Sequence, residues 1–340
     1  MVTNGESETR RLPLHLVGEF LLIGCVVVTP WFYGGVQDEV RYALCAVLPA
    51  AVLLLLSSDL REGRLARGAR VAALIPGLAL LQLVTRQTLA PWLTVEAALV
   101  GFVIAMVWAA LDSISGSSST NTARRVAWAL LAVCGAEAAF AAAQWSIDRR
   151  LLFGTRSELQ TMPFGSYVNH NNFAGLVSLG VPLAIAMAIG DVRRSGRLTP
   201  RGLGLMGLAS GLAIAVAASG SRGGLLALVG GLILLSALSG VGGRKHERRR
   251  SWRSTVAVGA TIVLLAGLAV PSSTRARLTR LFSTESALSY RVDIAIAGLK
   301  AFARKPVLGS GLGAFGDAAT PHKAGWGAMR SDRAEADLVE

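Results

Sequence analysis

Arg222 stands alone between two apolar stretches, in the run Ser219-Gly220-Ser221-Arg222-Gly223-Gly224. Its guanidinium carries a planar fork of donors that can grip a phosphate at two points. At a bilayer centre such a group costs roughly 2.5–3.5 kcal/mol on insertion scales, so it belongs at an interface or in a protein-lined site. Arg222 therefore either binds an anionic substrate or anchors a hairpin at the interface. A second polar knot, Asn169-His170-Asn171-Asn172, falls where another apolar stretch begins. Asparagine is a favoured helix N-cap, which accounts for one or two of these amides. An imidazole between asparagines suits a different role, either bonding a sugar hydroxyl or phosphate or taking a proton as a base. Glu19 and Glu137 lie inside apolar stretches. There an acid is either a proton-relay or substrate group, or the partner of a neighbouring helix.

The elements that must position these groups are membrane helices. Of the 340 residues, 52% are hydrophobic and 16% charged, and the mean hydropathy is +0.51. Soluble domains carry about 25% charged residues. Nine apolar segments are long enough to count, at about 13–32, 40–56, 71–84, 94–111, 126–145, 172–190, 202–218, 225–241 and 255–270. The third contains Pro76 and Gly77, which predicts a kink or tilt. The fold expected is all-α, a polytopic bundle of about nine transmembrane helices. The first segment contains Glu19 and runs to Trp31 without a small-residue cleavage site, so it reads as a retained span. Gly220, Gly223 and Gly224 supply the permissive backbone for a sharp turn between the seventh and eighth segments. Cys25, Cys45 and Cys134 lie in apolar segments without metal-ligand spacing and read as small buried hydrophobes.

The net charge of +13 is distributed as orientation signals, not as a nucleic-acid groove. With the N-terminus inside, 18 Lys and Arg residues fall in inner segments and 6 in the outer short loops. The densest inner cluster contains Arg244, Lys245, Arg248, Arg249, Arg250 and Arg253 and reads as a topology determinant. Ser113–Thr122 reads as a Ser/Gly/Asn-rich inner linker. This orientation puts Arg222, the loop from Ser146 to Asn171 with Arg149, Arg150 and Arg156, and everything after Pro271 outside. The domain division expected is a cytoplasmic N-terminus at 1–12, a bundle at 13–270 and an outer segment at 271–340.

In that outer segment Leu288, Val292, Ala295, Ile296, Leu299, Phe302 and Ala303 recur at helical spacing. The pattern predicts an amphipathic helix that lies on the membrane or packs over the spans. Pro306 ends it, and Gly309, Gly311 and Gly313 form a glycine-rich turn. A dinucleotide-binding reading of these glycines fails, because no strand precedes them.

Together these stretches resemble the O-antigen ligase and polymerase superfamily of multi-pass membrane proteins. Tyr33-Gly34-Gly35-Val36 is similar to that family's first outer turn, and Asn169-His170-Asn171-Asn172-Phe173-Ala174-Gly175 to its NHN-F-A-G segment. Ser221-Arg222-Gly223-Gly224-Leu225-Leu226-Ala227 resembles its SRGG hairpin. Arg291, Gly298 to Phe302, then Pro306, Leu308, Gly309, Gly311, Gly313 and Phe315 resemble its outer helix and the turn that follows. The resemblance implies transfer of a glycan from a polyprenyl-pyrophosphate carrier to an acceptor sugar or lipid, at the outer face of the bacterial inner membrane. It also implies no nucleotide cofactor and no essential metal, and the sequence has no DxD pair and no His/Cys metal cluster.

Two features depart from the family pattern. Its histidine motif after the glycine turn corresponds here to Arg333 through Glu340, with Glu335 near the histidine's place. The further spans of the family do not follow, so the chain reads as a truncated product, a fragment or one half of a split pair completed by a second polypeptide, with little transfer expected of the chain alone. The reaction implied is attack of an acceptor hydroxyl on the anomeric carbon, with lipid pyrophosphate leaving. Without a metal, cationic side chains must stabilise the leaving group. Arg222 and Arg291 are the candidates, with Arg156 as a third. His170 fits the base by chemistry and Glu335 by place, while Asn169, Asn171, Asn172 and Ser221 are candidate substrate contacts. Two other classes remain: a transporter or flippase for lipid-linked glycan, and a non-catalytic membrane partner of a glycan-assembly complex.

Overall fold

The computed structural model describes residues 14–35, 37–56, 73–116, 120–148, 151–153, 155–156, 163–239, 259 and 285–322. These form helices α1 (Leu14–Val28), α2 (Asp38–Leu55), α3 (Leu74–Val84), α4 (Pro91–Gly116) and α5 (Thr120–Ile147). They continue with α6 (His170–Ser195), α7 (Pro200–Ser219), α8 (Arg222–Ser239), α9 (Glu285–Arg304) and the short α10 (Phe315–Ala319). A two-residue ladder, β1 (Leu151–Leu152) with β2 (Thr155–Arg156), interrupts the helical pattern. Eight of the nine apolar segments coincide with helices; the ninth, 255–270, lies outside the described residues except for Gly259.

Among the described residues, five helices are long and apolar enough to cross a membrane: Leu14–Trp31, Pro91–Asp112, Asn121–Ile147, His170–Ser195 and Pro200–Ser219. Leu74–Val84 and Arg222–Leu238 are apolar but shorter. Pro76 falls in the first turn of α3, where its missing N–H would have no helical partner in any case. The expected linker at Ser113–Thr122 is largely helical: α4 runs to Gly116 and α5 starts at Thr120. Extending a formed helix adds one hydrogen bond per residue ordered, which outweighs the weak local preference of Ser and Gly for turns.

The chain divides into two compact units. One comprises Met1–Cys25, Arg41–Arg124 and Tyr290–Ala336. Within it Glu19 is buried and accepts from the Thr122 hydroxyl at 3.1 Å. Arg41 and Glu96 form an ion pair at 2.7 Å. Among the described side chains of α9, Ile294 and Ala297 are buried, while Val292, Ile296, Leu299 and Phe302 are exposed. Most of the apolar stripe seen in the sequence thus lies on the uncovered side of that helix.

The turn after α9 is clasped to the α3–α4 connection. Gln82, 3% exposed, donates from Nε2 to Leu308 O and accepts from Leu312 N at 2.9 Å. Thr94 Oγ1 donates to Leu312 O at 2.9 Å, Leu89 N to Ser310 O at 2.8 Å, and Lys305 Nζ to Gln87 O at 3.1 Å. Gly311 has φ +114 and a Cβ there would overlap Thr88, which explains one glycine of the turn. Gln82→Ala leaves a buried N–H and a buried carbonyl unpaired, at about 1–3 kcal/mol each. The variant should unfold several degrees earlier in detergent. An unchanged midpoint would show that Thr94 and Lys305 hold the turn without it.

The other unit comprises Val26–Val40, Arg125–Ser289 and Asp337–Glu340. Its centre is α6, packed on α7 and α8 and half buried along its most apolar window. Small residues allow this. Ala174, Ser178, Gly180, Ala184 and Ala188 are buried on α6, and Ala209, Ala213 and Ala217 recur every fourth residue on α7. Lipid is as apolar as leucine, so close backbone approach and dispersion must replace the hydrophobic drive between membrane helices. A Cβ at Gly180 would come within 2.8 Å of Leu212 and 3.0 Å of Cys134.

Candidate functional site at the starts of α6 and α8

Three caps start α6, α7 and α8, the first and last of them at the site. Asn169 is the N-cap of α6 and accepts from Asn171 N at 2.8 Å. Thr199 caps α7 through Gly202 N at 3.0 Å, with Pro200 next to it. At the other end of α7, Gly220 takes φ +72 and closes the helix in the left-handed conformation. Ser221 follows, accepting from Gly224 N at 3.0 Å, so it caps α8. Each cap satisfies a backbone donor that the helix leaves without a partner.

The glycines of the hairpin divide their work differently from the expectation that all three serve the turn. Only Gly220 does so, because it alone of the three has positive φ. Gly223 and Gly224 are already helical. A Cβ at Gly224 would overlap Ala174 Cβ on α6, whereas one at Gly223 meets nothing within 4 Å. Gly224 is thus a close-approach residue that lets α8 lie against α6.

That contact brings two of the sequence candidates together. The Ser221 hydroxyl donates to Asn171 Oδ1 at 2.7 Å, across 50 residues of chain. The starts of α6 and α8 are therefore tied side by side, each with its first-turn N–H groups at the same junction. The positive ends of two helix dipoles add there. Arg222 is exposed at the first position of α8, Asn172 is exposed, and His170 is partly exposed at the first position of α6. One arrangement holds His170, Asn171, Asn172, Ser221 and Arg222.

Arg156 belongs to β2, paired with Leu151. Arg291 lies on α9, in the other unit. Glu335 lies outside the described residues.

Beneath this junction lies a polar anchor that residue types and spacing did not reveal. Glu137 on α5 is fully buried. Its Oε2 accepts from Ser166 N at 3.1 Å, and its Oε1 lies 2.7 Å from the Ser166 hydroxyl. That hydroxyl is also 2.7 Å from Pro30 O. Seven residues along the same helix face, Gln144 accepts from Gly165 N at 2.9 Å. The Tyr167 ring covers Gly34, whose φ of +75 and lack of a Cβ make room for it. Burial, and then the nearby Glu137, push the Tyr167 phenol well above its ordinary range. Aromatic rings surround the anchor: Trp31 on Phe140, Phe140 stacked on Phe153, Tyr33 on Phe153 and Trp145 on Phe164. The only sequence signals were Glu137 itself and the aromatic residues near helix ends; the partners come from three separate segments.

Helices suited to a bilayer, with a basic and amide-rich junction at two helix starts, define a helical membrane protein. Residues 205–339 match the family model described as O-Antigen ligase, a span that includes Ser221, Arg222, Arg291 and Glu335. Over that stretch the chain is similar to the O-antigen ligase family. No curated protein and no solved structure matches it.

Proposed function

We propose that the chain transfers a glycan from a polyprenyl-pyrophosphate carrier to an acceptor sugar or lipid, at the outer face of a bacterial inner membrane. The observation that carries this reading is the Ser221–Asn171 hydrogen bond, which sets Arg222 and the His170 segment at one junction of two helix starts. An anionic pyrophosphate suits that junction, because backbone N–H groups, helix dipoles and a guanidinium all favour negative charge. As the carrier leaves, charge develops on its phosphate, and Arg222 stabilises it. His170 takes the proton of the acceptor hydroxyl as it attacks the anomeric carbon, and Asn171 and Asn172 bond sugar hydroxyls. Asn169 and Ser221 act chiefly through the caps they make. Arg291, on the helix that resembles the family's outer helix, is a second cationic candidate, Arg156 a third, and Glu335, by its place in the family pattern, an alternative base. The direct test combines purified chain, lipid-linked glycan donor and acceptor, with product formation as the readout. Donor binding without product would favour a carrier or a non-catalytic partner, and in that case a second polypeptide should be added to seek transfer.

The reading requires the junction to face outward. The 18-to-6 distribution of Lys and Arg supports a nine-span topology with a cytoplasmic N-terminus. A cysteine at Thr85, an exposed position in the α3–α4 connection, should react with an impermeant thiol reagent in intact spheroplasts. One at Ser195, exposed at the end of α6, should react only after lysis. Reversed labelling would sink the orientation and the outer-face site with it.

A further inference from the structure

Glu137 has no part in the transfer step proposed above, yet it is an acid buried completely inside a membrane helix. Such a group is costly, and it persists where it does something specific. Here its surroundings say what. Both carboxyl oxygens are directed at one residue, Ser166: Oε2 at the amide and Oε1 at the hydroxyl. Ser166 is itself fully buried and touches Pro30 O in the turn before Tyr33. Next to it, Gly165 has φ +65, and a Cβ there would come within 2.7 Å of Phe173 and 2.8 Å of Glu137 Oε2. The Gly165 amide is taken by Gln144. Phe164 and Tyr167 close the loop through paired backbone bonds at 3.0 and 3.3 Å. Two residues after Tyr167 comes Asn169, the cap of α6, and then His170.

We propose that Glu137 is a positioning residue: by fixing Ser166 it sets the loop 163–169 and thereby the presentation of Asn169, His170 and Asn171 at the start of α6. Apart from the single Phe164–Tyr167 bridge, the loop has no helix or extended ladder of its own to hold it. Its buried amides at Gly165 and Ser166 are satisfied by α5 side chains, and an unsatisfied buried amide is strongly disfavoured. Without the carboxyl the Ser166 amide loses its acceptor, and the segment leading into the cap loses its fixed point. The proposal also predicts which substitution is tolerated. Glutamine keeps an acceptor for the Ser166 amide and supplies a donor to the Ser166 hydroxyl, whose single proton is then left for Pro30 O. Alanine supplies neither.

The consequence for transfer rests on the transferase reading, so the test has two readouts. Hydrogen exchange of the full chain in lipid nanodiscs is followed in peptides covering 163–169, and glycan transfer is measured on the same preparations. Glu137→Ala should speed exchange in that peptide by about tenfold or more and lower transfer by a similar factor, with exchange in the rest of α6 unchanged. Glu137→Gln should restore both to within about threefold of the parent. Ser166→Ala, which keeps the amide contact, should fall between them and carries the test if the alanine variant of Glu137 does not fold. Unchanged exchange in Glu137→Ala overturns the proposal. Equal damage in the glutamine and alanine variants also overturns it, since the negative charge rather than the anchoring would then be what matters. If the parent chain transfers no glycan, the transferase reading falls, while the exchange arm still decides whether Glu137 sets this loop.

Discussion

Arg222→Ala should lower glycan transfer by about two to three orders of magnitude while leaving insertion and thermal stability near those of the parent. The side chain is exposed at the start of α8, so its removal opens no cavity. On the mechanism proposed above, what is lost is the group that meets charge as the carrier pyrophosphate leaves. Removing one donor to a developing oxyanion commonly costs about 2.7–4 kcal/mol of transition-state stabilisation. Arg222→Lys separates charge from geometry. Lysine keeps the positive charge but loses the two-point fork, so transfer should drop by about tenfold or more, with donor affinity less affected. Steady-state kinetics on the purified variants supplies the measurement. Parent-like turnover in Arg222→Lys would exclude two-point phosphate recognition, and parent-like turnover in Arg222→Ala would remove Arg222 from the chemistry altogether.

Gly223 and Gly224 make the second large expected effect, because neighbouring identical residues should behave oppositely. Gly224→Ala puts a methyl group into Ala174 on α6. In a close-packed interior that forces the helices apart, at about 1–3 kcal/mol. The displacement also strains the Ser221–Asn171 bond, so transfer should fall along with stability. Gly223→Ala meets open space. It replaces a poor helix former by the best one, and should stabilise by a few tenths to about 1 kcal/mol. Thermal midpoints of the two variants in the same detergent decide the matter. Equal effects of the two substitutions would contradict the close approach of α6 and α8.

Both predictions depend on distinctions that are invisible along the chain. Three glycines within five residues look like one flexible turn, and only packing separates the conformational role of Gly220 from the steric role of Gly224. Asn169, Asn171 and Asn172 likewise look equivalent. One is a cap, one accepts from Ser221 and one is exposed. In α9 the spacing of apolar residues showed a helix correctly, but among its described side chains the buried ones are Ile294 and Ala297, not the stripe. Beside a bilayer, an apolar face need not be a packed one.

By itself the sequence determined that this is a helical membrane protein. Crossing lipid requires every backbone group to be satisfied within the segment, and a run of apolar residues can meet that requirement only as a helix. It also determined where most of the helices lie and which motifs resemble those of O-antigen ligases, since both are local patterns of residue type and spacing. Only the tertiary structure decided which polar groups meet. The Ser221–Asn171 link and the Glu137–Ser166–Pro30 anchor join residues 50, 29 and 136 positions apart. No local periodicity encodes such pairs, because they form only when small residues let helices approach closely enough for short side chains to reach across. The same holds for Gln82, an ordinary polar residue in a short apolar helix until the turn at 308–312 closes over it.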